Sequence, residues 1–257
     1  MHEHELQFHI KCKVSDVGRY CFLPGDPGRC EKIAAYFDNP VKVQSNREYT
    51  TYTGTLLGEK VSVCSTGIGG PSAVIAMEEL HNIGADTFIR VGTCGGIALP
   101  VKSDDVVIAT GAVRHEGPAG STPPSSSPPC PTMRCRVPWC RLPKTWASPG
   151  TLKRGAVQGF LLWTARPQAD ASEPGAALQV GGVEAPGCPG LRDGVRRPVL
   201  LCRRPGVRCG SCFHVIWNQE REAAGLDQEE SHDLSAALEV GIEAVRLLIE
   251  ADRAAKG

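Results

Sequence analysis

Short apolar segments rich in β-branched residues alternate with helix-like segments through the first part of the chain. The segments "RYCFLP", "KVSVCST", "TFIRVG" and "DDVVIATGAV" are typical of buried strands. "GDPGRCEKIAAYF" predicts a turn followed by a helix, and "AVIAMEELHNIG" predicts a second helix that ends at Gly84. Because strands that alternate with helices form sheets covered on both faces, the pattern indicates an α/β fold.

Residues 118–205 interrupt this pattern. They hold 15 of the 20 prolines and 12 lysines and arginines against 4 acidic residues, whereas the rest of the chain holds 16 basic and 24 acidic residues. By composition the segment reads as disordered or low-complexity sequence. The ordered pattern returns after it, since "VRCGSCFHVIW" predicts a buried strand and "ESHDLSAALEVGIEAVRLLIEA" predicts a long amphipathic helix.

The composition excludes several classes of protein. The N-terminal residues carry several charges and no apolar segment long enough for a secretory signal, and no segment approaches the length that spans a bilayer. We therefore expect a soluble cytoplasmic protein with no membrane partner. Its 12 cysteines are expected to be reduced thiols rather than a disulfide framework.

Cysteine and arginine clusters are weaker signals. Cys130, Cys135 and Cys140 lie five residues apart, and Cys209 and Cys212 form a C-x-x-C motif of the kind that zinc and redox sites use. The last pair lies in an apolar strand, where a small buried thiol is the usual case. Because "RDGVRR" has no aromatic residues interleaved, we expect no nucleic-acid partner.

Three glycine-rich loops follow the predicted strands: "PGDPGR", "STGIGGPS" and "VGTCGG". Ligands of open α/β sheets bind beyond the carboxyl ends of strands, where such loops present backbone N–H groups. The glycines that would let the backbone approach an anion are Gly25, Gly67, Gly69, Gly92 and Gly95. Arg29 and Arg90 add forked cationic donors, and Thr93 adds a hydroxyl. The residues therefore indicate a phosphate site built from several loops, unless the glycines serve only as turns.

Four motifs in order make this more specific: "LPGDPGRCEKIA", "SNREYTTYTG", "VCSTGIGGPSAVIAMEEL" and "IRVGTCGGI". They closely resemble the nucleoside phosphorylases of the uridine phosphorylase type, over residues 8–117. The resemblance implies a single phosphorylase domain over residues 1–257, with a central mixed, partly barrel-like sheet flanked by helices. Residues 118–205 are then an aberrant Pro/Arg-rich segment within that domain.

The resemblance also implies a phosphate clamp. Its members would be Gly25, Arg29, Arg90 and Thr93, with Arg90 and Thr93 at the reacting centre. Arg47 would complete the clamp from a neighbouring subunit, so the expected assembly is a dimer or a hexamer of three dimers. Any one of these arginines alone is more often a surface ion pair, and only their joint occurrence favours phosphate.

Further residues are implied around the sugar and at the dimer contact. His9 of the neighbouring subunit would contact the ribose, and Thr93 and Gly95 would border ribose and base. A monovalent cation, K⁺, would be surrounded at the dimer contact by Glu48, Ile68 and Ser72. Taken alone, His9 and Glu48 would be read as solvated polar residues.

The implied activity is the reversible phosphorolysis of uridine by orthophosphate to uracil and ribose 1-phosphate, a pentosyltransferase reaction of pyrimidine salvage that needs no organic cofactor. A purine nucleoside phosphorylase or a nucleosidase of the same superfamily is an alternative. A hydrolase needs no phosphate clamp, and a purine enzyme would be expected to carry an aspartate where "VIWNQERE" has Asn218. A non-catalytic nucleoside-binding protein is a third interpretation.

Base-reading and ribose-reading motifs of the family are absent from residues 118–205. With permitted codons, Pro118 to Arg134 read two bases later can give S-R-E-Y-A-P-V-E-F-P-A-V-P-D-Y-A, which resembles family sequence. One base later, Leu191 to Val199 can give the missing ribose motif S-E-M-E-S-A-A-L, and Leu161 to Arg166 can give Y-S-G-Q-H with the missing glutamine. We therefore hypothesise that this segment is a frame-shifted reading, and that the 257-residue chain does not turn over uridine.

Overall fold

The computed structural model describes residues 6–96, 98–109, 207–227 and 229–255. These residues form seven strands: β1 (Tyr20–Leu23), β2 (Asp38–Asn46), β3 (Tyr49–Leu56), β4 (Glu59–Cys64), β5 (Thr87–Gly96), β6 (Val106–Ile108) and β7 (Arg208–Asn218). They also form four α-helices: α1 (Gly28–Ala34), α2 (Gly70–Asn82), α3 (Gln219–Ala223) and α4 (Ser235–Ala254). The segment 118–205, with Cys130, Cys135 and Cys140, lies outside the described residues.

The strands form one mixed sheet in the order β2-β3-β4-β1-β5-β7-β6. The central strands β4, β1, β5 and β7 run parallel, whereas β2, β3 and β6 pair antiparallel with their neighbours. The predicted mixed α/β sheet is confirmed. Its expected partial closure into a barrel is wrong over the described residues, because β2 pairs only with β3 and β6 only with β7, which leaves both edges apart.

Helices cover both faces of this sheet, as expected from the alternating pattern. Tyr20 and Phe22 of β1 pack into an apolar cluster with α1 and α4, whereas Cys21 and Leu23 pack into a second cluster with α2. Successive residues of a strand point to opposite faces, so four consecutive buried residues in β1 require a layer on each side. The carboxyl ends of β1, β4 and β5 therefore open into loops held between two helical layers.

Helix α4 lies close to the middle of the sheet at Gly241. A Cβ on Gly241 would lie 3.1 Å from Cγ2 of Val91 and 3.6 Å from Sγ of Cys212. Contacts of 3.0–3.4 Å are tighter than ordinary van der Waals packing, so a larger residue at this position would force α4 away from β5 and β7. The absent side chain thus sets the spacing between helix and sheet.

Two local differences from the sequence expectations stand out. The motif "VGTCGG" is not a turn, because β5 continues to Gly96 and stays paired with β7 as far as Asn218, with one irregularity between Cys94 and Gly95. The β2–β3 hairpin is not among the elements predicted from sequence. Most of β2 is exposed and polar, and its alternation is confined to Val41-Lys42-Val43-Gln44, so it lacks the apolar run that marks the buried strands.

Six described cysteines are buried free thiols: Cys12, Cys21, Cys30, Cys64, Cys94 and Cys212. Burial raises the pKa of Cys94 to about 12, which keeps this thiol protonated and unreactive. Cys209 is disulfide-bonded, so the expectation of reduced thiols is wrong for this residue. Sequence spacing does not show which sulfurs come within bonding distance.

No helix in the described part of the chain has both the length and the apolar character required to cross a membrane.

Candidate functional site

Arg90 lies at the carboxyl end of β1, on the neighbouring strand β5, and is 9% exposed. Its Nη1 donates hydrogen bonds to the carbonyl oxygen of Leu23 over 2.9 Å and to Oγ1 of Thr66 over 3.0 Å. Leu23 is the last residue of β1, and Thr66 lies in the loop that follows β4. The guanidinium is therefore fixed at the edge of the sheet where the glycine-rich loops meet.

The positive charge of Arg90 has no carboxylate partner among the described residues. Its Nε is buried without a hydrogen bond, and both acceptors of Nη1 are neutral oxygens. Burial, together with a smaller contribution from the positive charge of Arg29, lowers the pKa of Arg90 to about 10. The residue is still protonated near neutral pH, so the site holds an uncompensated buried cation, an arrangement that favours an anion.

Gly25 and Gly67 bring two loops against this guanidinium. A Cβ on Gly25 would lie 3.0 Å from Nη2 of Arg90 and 3.4 Å from the carbonyl oxygen of Gly67. Gly67 has a φ of +65°, a conformation that favours glycine, and a Cβ there would lie 2.8 Å from Cβ and Cγ of Glu48. Gly25 thus leaves room for the guanidinium of Arg90, and Gly67 leaves room for the side chain of Glu48.

Arg29 and Thr93 line a cavity of about 440 Å³ between α1, β5 and the start of α4. Arg29 lies on α1, and burial lowers its pKa although the carboxylate of Asp26, 3.9 Å from its Nε, acts in the opposite direction. The complete lining consists of Asp26, Gly28, Arg29, Lys32, Thr93, His232, Asp233, Leu234, Ser235 and Leu238. This volume lies in the range of small-molecule sites.

Residues 232–235 were not predicted as part of the site. Hydrogen bonds from the side chain and backbone of Ser235 hold the pKa of Asp233 below its ordinary value, so the cavity contains an ionised carboxylate. In the sequence, Asp233 reads only as a polar residue at a helix start, where aspartate is common. No spacing rule connects it to Arg29, because the fold alone brings α4 over α1.

His9 lies away from this cavity and next to the tip of the β2–β3 hairpin. The side-chain amide of Asn46 donates a 2.6 Å hydrogen bond to the carbonyl oxygen of His9. Arg47, the next residue, is exposed at the hairpin tip with a φ of +54°. Asn46 thus joins His9 to the hairpin tip that carries Arg47, and these are the two residues that the resemblance assigns to a neighbouring subunit.

Glu48, Ile68 and Ser72 also lie together. Oγ of Ser72 donates a 3.0 Å hydrogen bond to Oε1 of Glu48 and also bonds the carbonyl oxygen of Thr66. A backbone hydrogen bond to its own carboxylate and the bond from Ser72 hold the pKa of Glu48 below its ordinary value. Ile68, 84% exposed, follows Gly67 in the loop beside them. The cluster offers oxygen atoms at the surface, next to the hairpin tip.

Comparison with known proteins identifies the family. A family model described as the phosphorylase superfamily matches residues 19–194, which is well over half of the chain. The chain belongs to the phosphorylase superfamily.

Three relatives show how far the similarity to individual phosphorylases extends. A protein named uridine phosphorylase from Treponema pallidum is 39% identical over 268 residues, covering 96% of each chain. One of the same name from Thermococcus kodakarensis is 53% identical over 115 residues, covering 45% of this chain and 42% of its own length. A guanosine phosphorylase from Halorubrum lacusprofundi is 44% identical over 111 residues, covering 43% and 46%. The last two matches therefore span less than half of those phosphorylases.

In this phosphorylase chain, Asn218 has a structural position. Its Oδ1 accepts hydrogen bonds from the backbone N–H groups of Glu220 and Arg221 at the start of α3, and its Nδ2 donates to the carbonyl oxygens of Ala98 and Val101. All of these bonds serve to cap the helix and hold the loop after β5. Gly96, opposite Asn218 in the sheet, leaves the room for this side chain, since a Cβ there would lie 2.8 Å from Nδ2.

Proposed function

We propose that this phosphorylase cleaves uridine with orthophosphate and releases uracil and ribose 1-phosphate, as a pentosyltransferase of pyrimidine salvage. The observation that carries the proposal is the buried guanidinium of Arg90, which has no acidic partner among the described residues. This guanidinium lies next to Gly25, and its pKa is lowered by burial and by the positive charge of Arg29. A dianion such as orthophosphate would neutralise the buried cation of Arg90 and contact the half-buried cation of Arg29. The uridine in the proposal comes from the two relatives named uridine phosphorylase.

In this proposal the phosphate clamp consists of Gly25, Arg29, Arg90 and Thr93. Arg90 is held rigidly by two loops, so it supplies fork-shaped donors without losing side-chain freedom on binding. Arg29 and the Thr93 hydroxyl line the adjoining cavity of about 440 Å³, which is wide enough for a phosphate and a ribose together. Gly25 lets backbone approach the same anion because it has no side chain.

The chemistry requires phosphate and sugar to be held close together. In phosphorolysis the phosphate attacks C1′ of an oxocarbenium-like sugar while the base leaves as an anion. Fixing the phosphate beneath the sugar makes the attack effectively intramolecular, and the positive field of Arg90 and Arg29 keeps the nucleophile in place. Thr93 and Gly95, in the extended end of β5, would border ribose and base.

We propose that the complete site is shared between two chains. Arg47 would complete the phosphate clamp and His9 would contact the ribose of a neighbouring subunit, so the smallest functional unit is a dimer, either alone or as part of a hexamer. The hydrogen bond from Asn46 to His9 supports this, because Asn46 is the residue before Arg47 and joins the His9 segment to the hairpin tip. Glu48, Ile68 and Ser72, beside that surface, would bind K⁺ at the contact.

The base reader is expected from residues 118–205, which lie outside the described residues. We propose that one phosphorylase domain spans residues 1–257 and that this segment is frame-shifted within it. A purine nucleoside remains the second candidate because one relative is named guanosine phosphorylase. Against it, Asn218 stands where a purine enzyme is expected to have an aspartate, and its side chain is engaged with α3.

A phosphate-dependence assay tests the function. The 257-residue chain and a frame-restored chain, in which residues 118–205 are translated from the coding DNA in the shifted frames, are each given uridine, inosine and guanosine with and without orthophosphate. We expect the frame-restored chain to release uracil only when phosphate is present, and Arg90→Met to reduce this at least 100-fold. Release without phosphate would indicate a nucleosidase, release of purine alone would indicate the second candidate, and no release would indicate a binding protein.

A further inference from the structure

Glu79 of α2 makes a set of contacts that the site described above does not account for. Both of its carboxylate oxygens accept hydrogen bonds from the backbone N–H of His9, over 3.0 Å and 2.9 Å, and Oε2 also accepts from the N–H of Ile10 over 2.8 Å. Oε1 lies 2.5 Å from Nδ1 of the His9 ring. The Glu79 side chain is only 12% exposed, which is unusual for a glutamate that has no lysine or arginine partner in the described part of the chain.

These contacts determine which ring nitrogen of His9 carries a proton. An ionised carboxylate only accepts hydrogen bonds, so Nδ1, which faces it, must be the donor. In the neutral ring Nε2 is then left as the acceptor, on the side of the imidazole away from Glu79. The remaining bonds, from the N–H groups of His9 and Ile10, hold the backbone at the same place, so both the orientation and the tautomer are fixed.

We propose that Glu79 is a positioning residue that presents Nε2 of His9 as a hydrogen-bond acceptor for a ribose hydroxyl in the neighbouring subunit's site. The inference rests on the proposed function and deepens it. Glu79 and His9 belong to one chain, whereas the sugar they serve would be bound by Arg90 and Thr93 of the other. A carboxylate on α2 of one subunit therefore contributes to the reaction in its partner.

A double-mutant cycle on the full-length frame-restored chain tests whether Glu79 acts through His9. In Glu79→Gln the amide oxygen can accept only some of these hydrogen bonds, and the amide NH2 group faces other N–H donors. The KM for uridine is therefore expected to rise about tenfold. The KM for phosphate should stay within about twofold, because Gly25, Arg29, Arg90 and Thr93 lie in the other subunit and the bonds of Glu79 go to His9 and Ile10 rather than to Arg47. Combined with His9→Ala, Glu79→Gln should add less than about twofold to the effect of His9→Ala alone. The exposed residue Glu250 on α4 provides the matched control Glu250→Gln, which should change neither constant.

Mixed oligomers test whether Glu79 acts across the subunit boundary. A chain with Arg90→Met has no working site of its own but keeps an intact His9–Glu79 pair. A chain with Glu79→Gln keeps Arg90 in its own site but lacks the intact pair. When the two are coexpressed with different tags and purified together, the site in the Glu79→Gln chain receives a correctly held His9. These mixed oligomers should regain the unsubstituted KM for uridine at about half of the sites.

Several results would overturn the inference. Mixed oligomers that keep the raised KM would show that Glu79 acts within its own subunit, and equal increases in both KM values or additive effects in the cycle would show a general structural role. The proposed function fails in a different way, because the unsubstituted protein would then release no uracil. In that case trypsin still tests the contact, and faster cleavage at Lys11 in Glu79→Gln than in Glu250→Gln is the expected result. Equal rates would show that Glu79 does not hold this segment.

Discussion

Nη1 of Arg90 and Oγ1 of Thr66 are joined by a 3.0 Å hydrogen bond between two buried side chains. The Thr66 hydroxyl also lies 3.2 Å from the carbonyl oxygen of Pro24, in the loop after β1. Thr66 therefore links both loops to the guanidinium that we assign to phosphate. Its role is to orient Arg90 and not to contact the reacting atoms.

Thr66→Val should weaken phosphate binding without unfolding the protein. Valine has nearly the same shape but accepts no hydrogen bond, so Arg90 keeps only the Leu23 carbonyl and becomes more mobile. We expect a loss of about 1 kcal/mol in phosphate binding, which is roughly fivefold in affinity, measured by calorimetry. Thr55→Val, the same change in a partly exposed residue of β3, is the control. Unchanged phosphate affinity in Thr66→Val would contradict the role of Thr66.

Gly67→Ala should destabilise the protein more than Gly225→Ala. Both glycines have a φ of +65°, so both substitutions introduce the same backbone strain of about 1 kcal/mol. Only at Gly67 does a Cβ meet other atoms, 2.8 Å from Cβ and Cγ of Glu48, while at Gly225 nothing lies within 4 Å. The clash should add about 1–3 kcal/mol to the loss in the free energy of unfolding, measured with urea. Equal losses would mean that the loop and Glu48 can move apart freely.

Asp252 should make the protein sensitive to acid. Burial by itself would raise the pKa of Asp252, but hydrogen bonds from Arg208 and Tyr20 hold it below the ordinary value. A carboxyl group whose pKa is lower in the folded state contributes stability above its unfolded pKa, near 4, and this contribution is lost as the pH falls through the folded value.

Asp252→Asn removes this contribution. We expect it to lower the free energy of unfolding by about 1–2 kcal/mol at pH 7 and to weaken the dependence of stability on pH below about 4. Urea titrations at several pH values measure both effects, and Asp38→Asn, at an exposed position of β2, serves as the control. If the free energy of unfolding depends on pH in the same way in Asp252→Asn, other carboxylates cause the sensitivity to acid.

The coding DNA decides the origin of residues 118–205. We expect the codons for Pro118 to Arg134 to spell the family-like peptide when read two bases later, and those for Leu191 to Val199 to spell the ribose motif one base later. Sequencing the transcript measures this directly. If the codons give unrelated peptides in both frames, the hypothesis of a frame-shifted segment is wrong, and the segment is a true divergence.

The sequence predicted the elements of the sheet centre more accurately than its edge. β1 is short and apolar, and β4 and β5 each begin or end with a mainly apolar buried segment, Val61–Cys64 and Thr87–Ile89, so their burial is visible in the letters. β2 is an edge strand whose side chains are mostly exposed, and only its pairing with β3 shows that it is a strand. The motif "VGTCGG" also reads as a turn in the sequence, because glycines suggest the end of a strand. Only the pairing with β7 shows that β5 continues through it.

The loops of the proposed phosphate clamp could be located in the sequence, whereas the surrounding side chains could not. Gly25 and Arg29 follow β1, and Arg90 lies in β5 beside the end of β1, where an α/β sheet places ligands. Asp233, Thr66 and Glu79 join the site through contacts between distant segments. Nothing local distinguishes Glu79 from Glu78 beside it, and only the folded chain shows which of them holds His9.

Gly241 has a consequence beyond the packing of α4. Leu238 lies one turn before it on the same helix, and Ser235 lies six residues before it, about 9 Å along the axis. Both residues line the cavity, so the width of the cavity depends on how closely α4 packs against the sheet at Gly241. Related phosphorylases could therefore change the size of nucleoside they admit through a single methyl group placed beneath the helix.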